Sequence, residues 1–274
     1  MIFDSKARRL RRDRAAPGYG AFDFLRAFML EGIADRLAMI MRPFADILDM
    51  GCFDGSFVPP QGARVIRCDA GGRFAAAVHG VQAQEDQLPF ADGSFDLVVS
   101  AGVLDQVNDV PGALALARRV LRPDGAFIGA FAGAGSLNML RTILRTAESE
   151  RPVARLHPQI DVRAGGDLLL RAGFALPVAD TETLTVRYTS LFSLLADLRG
   201  MGASNLLADR HPLRRDTLAR AAALFAEHAD GDGRTAETFD IIFLTGWAPA
   251  PSQPQPAKRG SASASLIQAL RPSG

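Results

Sequence analysis

With 274 residues, 48% hydrophobic and 22% charged, the chain is long and apolar enough for one large domain or one and a half, and wholesale disorder is excluded. A net charge of +1 argues against a general nucleic-acid binder. Two cysteines, Cys52 and Cys68, exclude a disulfide scaffold and point to a reduced compartment. His79, His157, His211 and His228 do not fall at metal-ligand spacing, so no metal is expected. No run approaches the ~20 apolar residues that span a bilayer.

The first element is basic: Arg8, Arg9, Arg11, Arg12 and Arg14, with no apolar segment beside them. That is not a secretory signal, and Asp4 and Asp13 argue against a mitochondrial presequence. A solvated basic turn or helix is expected. Apolar residues at helical spacing then predict a helix over 22–41, stopped by Pro43. Strands are expected at 46–50, 63–68, 80–84, 95–100 and 126–131. Before the last of these, Pro111 opens a helix and Asp124-Gly125 turns out of it. Alternating strands and helices with apolar strands imply a parallel sheet covered on both faces. Helices follow at 136–150 and 165–172, a strand at 174–188, helices near 190–201 and 212–229, and a strand at 237–247. The helices between the two late strands read as a cap over one end of the sheet. The chain thus divides into a basic segment (1–20), a core (21–135), a cap with a late strand (136–236), a last strand (237–248) and a Pro-, Ser- and Ala-rich tail (249–274) expected to be disordered.

Chemistry concentrates after the first strand, in ILDMGCFDGSF. In doubly wound sheets, ligands bind beyond the carboxyl ends of strands where strand order reverses. Gly51 and Gly55 let backbone approach a ligand closely. Asp69 ends the next strand, where a carboxylate can accept both hydroxyls of a ribose. Gln84–Phe90, followed by Asp92–Asp96, forms a loop able to pass over an adenine ring.

Taken together, DMGCFDG, CDA, LPFADGSFDLVVS and LRPDGAFIG resemble class I S-adenosylmethionine-dependent methyltransferases. The resemblance implies an α/β, Rossmann-like sheet of seven strands with the last antiparallel, and S-adenosylmethionine as cofactor. It puts Asp49, Gly51 and Gly55 around the methionine part, with Phe53 beside them. Asp69 falls on the ribose and Gln84 at the adenine amino group, and Glu85 and Ser100 complete the set. DLRGMGASNLLADR, TGWAP and KRGSASASL, with the N-terminal IFDSKARRLRRDRAA, further resemble the respiratory complex I assembly factor 5 family. Its mitochondrial member is described as a hydroxylase of one arginine in an iron–sulfur subunit. The malonyl-carrier-protein methyltransferase family of biotin synthesis shares the core but lacks the GSASASL-like tail. This chain departs from the pattern in three places. Phe53 replaces a glycine, Pro59-Pro60 leaves no room for the usual first helix, and Asp105-Gln106 stands where relatives carry His-Trp.

Methyl transfer from a sulfonium is an in-line displacement in which the protein orients the reactants and excludes water, so no acid–base pair is required. Candidates for acting on the acceptor are Asp105, Tyr188, Arg199, Asn205 and Arg210. Surface pairing of the arginines and a capping role for Asn205 are the structural alternatives. Cys52 reads as structural rather than nucleophilic. An iron oxygenase needs two histidines and a carboxylate on one face. His157 and Asp161 lie in a proline-marked loop, so hydroxylation rests on resemblance alone. Three readings stay open: an enzyme modifying a protein, such as a complex I subunit, or a small molecule; a methyltransferase-like assembly chaperone; and a carrier-protein methyltransferase, served by a basic patch at Arg210, Arg214 and Arg215. A bacterial cytoplasmic location is expected, with peripheral attachment to the inner membrane as the alternative.

Overall fold

The computed structural model describes residues 1–148 and 153–254. Seven strands form one sheet: β1 (Asp46–Met50), β2 (Arg64–Asp69), β3 (Val81–Gln82), β4 (Phe95–Ala101), β5 (Leu121–Ala132), β6 (Ala175–Tyr188) and β7 (Thr235–Trp247). Their order is β3-β2-β1-β4-β5-β7-β6. The first five pair in parallel, and β7 runs antiparallel to both β5 and β6. This is the seven-stranded, Rossmann-like sheet the resemblance implies. Order reverses between β1 and β4, which opens a crevice at their carboxyl ends.

Both faces of the sheet are covered, as the apolar strands require. Helix α2 (Phe24–Ala38) packs Met29 and Ile33 with Leu97, Val99 and Phe243 on one face. Helix α4 (Val110–Val120) packs Leu114 and Ala117 with Leu48, Val98 and Phe127 on the other. Asp109 caps α4 by accepting from Gly112 N at 2.8 Å, and Pro111 sits in its first turn. A short helix α3 (Gly72–Ala77) follows β2, but no helix joins β1 to β2. Turns replace it, as Pro59-Pro60 foretells. Helix α5 (Asn138–Ala147) and α6 (Val162–Arg171) lie between β5 and β6, and α7 (Leu191–Gly200) and α8 (Arg215–Glu227) lie between β6 and β7.

Several expectations are corrected. The third strand is only two residues long. The turn expected at Asp124-Gly125 lies inside β5, where Asp124 takes a left-handed φ of 65° and the pairing with β4 shifts register between Phe95 and Leu97. The start of the tail is not loose: Gln253 donates to Asp124 Oδ1 and to Ala248 O, both at 3.0 Å, folding the chain back on β5. Residues 255–274, with the GSASASL motif, lie outside the described residues. The basic N-terminus is indeed a helix, α1 (Ser5–Ala15), following a β-bridge between Phe3 and Leu207. It is not a solvated one, because Arg8 and Arg12 are among the most buried side chains of the molecule.

Candidate active site

The glycine loop closes β1 against β2. Gly51 N and Cys52 N donate to Cys68 O at 2.8 and 3.0 Å. Gly51 has φ +80°, and a Cβ there would lie 2.4 Å from Val103 Cγ1, so only glycine fits. Phe53 is the unexpected member. Its φ is +48°, the left-handed region that a glycine would adopt freely and that costs an L-residue roughly 1–2 kcal/mol. The strain is held in place by packing. Phe53 is buried, stacked on Tyr19 at 4.9 Å between centroids and edge-on to Phe74 at 5.4 Å. With Tyr19 its ring packs the space behind the loop, and both rings also form part of the wall of the neighbouring cavity.

Asp69 ends β2 as expected, and its carboxylate is fully engaged. It accepts from Phe53 N at 3.0 Å, from Gly71 N at 2.7 Å and from Arg12 Nε at 2.8 Å, and pairs also with Arg12 Nη2. Burial alone would raise its pKa, but Arg12 and the backbone donors outweigh that and hold it below the usual carboxylate value. The Arg12 guanidinium lies 3.8 Å over the Phe53 ring, adding a cation–π contact. One turn earlier, Arg8 forks onto Glu85 at 2.6 and 2.8 Å, both side chains buried. Bidentate arginine–carboxylate pairs of this kind are the strongest geometry available to such groups. The i, i+4 spacing of Arg8 and Arg12 brings both to one face of α1. As arranged, Asp69 has all its acceptor sites taken and Glu85 is buried under Arg8, so the residues present do not fit S-adenosylmethionine without movement of α1.

The remaining expected cofactor residues are dispersed. Asp49 in β1 is fully buried, 3.5 Å from Arg26 and 3.7 Å from Arg67, and desolvation against those two charges leaves its pKa at about 6. Arg26 also donates to Ser56 Oγ at 2.5 Å, tying α2 to the loop. Gln84 is on the surface, 3.5 Å from Gln87. The Ser100 hydroxyl is buried in β4 without a hydrogen-bond partner among the described residues. Burial pushes the Cys52 thiol up, with Asp69 and Asp49 adding to it, so it stays protonated and structural.

Beside the Tyr19 and Phe53 rings lies a cavity of about 590 Å³ between the carboxyl ends of the central strands and the cap. Its walls are mostly apolar, with Leu25 and Met29 of α2, Leu140 and Leu144 of α5, and Leu198 of α7, and Arg11, Arg26, Arg155, Arg199 and Arg210 also line it. Asp105, three residues beyond Gly102 at the end of β4, faces into it. It is half-buried there, and desolvation by the surrounding protein raises its pKa to about 6. Asn205 and Arg210 also line the cavity but have structural partners. Asn205 Oδ1 accepts from Leu207 N at 2.9 Å, and Arg210 pairs with Asp4 at 2.9 Å. Tyr188 is in the core and not on the cavity wall. The expected basic patch does not assemble, because Arg210 turns to α1 and Arg214 pairs with Asp216 at 3.3 Å. His157 accepts from Leu206 N at 2.8 Å, and burial with Arg11 nearby lowers its pKa to about 4, fixing it neutral. Among the described residues, no three His, Cys, Asp or Glu side chains gather as a metal site.

Residues 48–129 match the methyltransferase domain family. Over 97% of this chain and 82% of the human protein, the sequence is 38% identical to the mitochondrial arginine-hydroxylase NDUFAF5. It is 31% identical to the malonyl-[acyl-carrier protein] O-methyltransferase of Methylovorus, covering 88% of each. Among solved structures, a Haemonchus contortus phosphoethanolamine N-methyltransferase, in complex with phosphomonomethylethanolamine and S-adenosylhomocysteine, shares the fold. Its TM-score is 0.52 at 13% identity, over 89% of this chain and 60% of that one.

Proposed function

Because the chain belongs to the arginine-hydroxylase NDUFAF5 family, within the methyltransferase fold, we propose that it modifies one side chain of a protein substrate during respiratory complex I assembly. S-adenosylmethionine is the cofactor this reading assigns. The observation that carries the reading is the cavity of about 590 Å³ next to the carboxyl ends of β1 and β4, with Asp105 facing into it. Apolar walls suit the methylene stem of a long side chain. A desolvated carboxylate with a pKa of about 6 gains its charged form when a cation such as a guanidinium pairs with it. The chain's own residues thus bind and orient the acceptor and keep water from it.

The cofactor, when bound, would supply a methyl sulfonium. The plugged adenosine end admits no step through it in the arrangement described. That same closure favours a second reading, an assembly chaperone that holds an arginine-bearing segment without altering it. The two readings separate in one assay. Arginine-bearing peptides from complex I subunits are incubated with the protein and S-adenosylmethionine, then weighed. A gain equal to one methylene identifies a methyltransferase, and a gain of one oxygen in a parallel arm supplied with dioxygen, ferrous iron and a reductant identifies a hydroxylase. Unmodified peptide that still co-purifies with wild type, but not with Asp105→Asn, identifies the chaperone. Peptide neither modified nor retained sinks the proposal.

A further inference from the structure

We propose that helix α1 is an internal latch on the adenosine subsite. An adenosine-bearing cofactor and the Arg8/Arg12 face of α1 compete for the same two carboxylates, Asp69 and Glu85. The inference rests on the cofactor reading above and adds a device that this reading does not contain.

The competition follows from the hydrogen bonds. Asp69 receives four donors, two from its own loop and two from Arg12, so a ribose hydroxyl reaches it only if Arg12 leaves. Glu85 gives both oxygens to Arg8. Gly71, at the end of β2, lets α1 come this close: a Cβ there would meet Arg12 Cβ at 2.9 Å. Tyr19 and Phe53 close the gap behind Arg12, and the left-handed backbone of Phe53 is kept only while its ring has these partners. Each pair is a charge match in a dry site, so the latch holds where solvent would dissolve a surface ion pair.

The adjoining face of α1 belongs to the cavity. Arg11 lines it and donates to Asn205 O. Asp4 pairs with Arg210, and Asp4 N donates to Leu206 O at 2.9 Å while Ala208 N donates to Ile2 O at 2.9 Å. Asn108 clamps Phe3 through its backbone N and O at 2.8 and 3.0 Å. One element therefore seals the cofactor end and walls the acceptor cavity. Displacing α1 from Asp69 and Glu85 loosens the segment 205–210 at the same time, which couples cofactor entry to opening of the cavity.

The test is calorimetric titration of S-adenosylmethionine into the full chain, wild type against Arg8→Ala/Arg12→Ala and against Arg12→Lys. A ligand that must first displace a dominant conformer pays in apparent affinity the fraction of molecules already open, so the double variant is expected to bind about tenfold tighter than wild type or more. Arg12→Lys keeps a cation beside Asp69 and the fold with it, but loses the two-pronged contact, and is expected to fall between them. It carries the test if the double variant does not fold. Equal affinity across the folded proteins overturns the latch and leaves the cofactor reading standing. Binding by none of them overturns both.

Discussion

The two ends of the β1–β4 crevice are built on opposite principles. On the β2 side the space beside Asp69 and Glu85 is occupied by an arginine pair on two carboxylates, three aromatic rings and a strained backbone residue. On the cap side a cavity of about 590 Å³ stays open between leucines, with the Asp105 carboxylate facing in and no salt bridge to it among the described residues. Where charge is matched and dry, the chain has completed its own site. Where charge is unmatched, it waits for a partner. The difference teaches that the glycine loop and the acid at position 69, which in this fold mark a nucleotide-like site, here serve first as the seat of the N-terminal helix.

Three substitutions break or sharpen that contrast. The largest effect belongs to Asp69→Ala, which strands Arg12 in a site with no water. Removing one partner of a buried pair costs about 3–5 kcal/mol, so chemical denaturation should show most of the stability lost. A loss of under about 1 kcal/mol would mean that Arg12 finds solvent and the site is wetter than described. Phe53→Gly comes next. It forfeits a buried ring, worth about 3–5 kcal/mol, and regains the left-handed strain of about 1 kcal/mol. The net fall in stability should come with tighter S-adenosylmethionine binding, because the plug is thinner. Stability and affinity falling together would place Phe53 in the binding surface instead.

The smallest effect is at the open end. Asp105 has a folded pKa of about 6, raised from an ordinary carboxylate value, so its fold contribution is fully present below that ordinary value and is lost as pH rises through 6. Asp105→Asn removes the ionised form and should stabilise the protein by about 2 kcal/mol at pH 8, with no difference at pH 3.5. Thermal melts at the two values check this. A variant less stable than wild type at pH 8 would show that Asp105 has a charged partner.

How far this contrast was legible in the sequence follows from the range of each interaction. Strands β1, β2 and β4 are apolar runs bounded by breakers, and Asp69 sits at a strand end whose position is local information. Pro59-Pro60 announced the missing helix for the same reason. Arg12 meets Asp69 across 57 residues, and nothing near either one signals the other. The only trace was the i, i+4 spacing of Arg8 and Arg12, which reads as a solvated stripe until a partner is known. Phe53 misled differently. A non-glycine at a glycine position suggests ordinary backbone, yet its φ is +48°, because packing on Tyr19 and Phe74 overrides local preference. The expected cluster of Tyr188, Asn205 and Arg210 dissolved because two of them satisfy neighbours and one lies in the core. Asp105, Arg199, Asn205 and Arg210 all line the cavity, and of these Asn205 and Arg210 are already engaged by neighbours.

The direct probe of self-occupation is amide hydrogen exchange of residues 2–15 and 205–208, with and without saturating S-adenosylmethionine. If α1 must leave for the cofactor to enter, both segments exchange faster in its presence while β1 and β4 are slowed. Slower exchange in α1 on adding the cofactor would contradict the account, since the helix would then be closing over the ligand and not yielding to it.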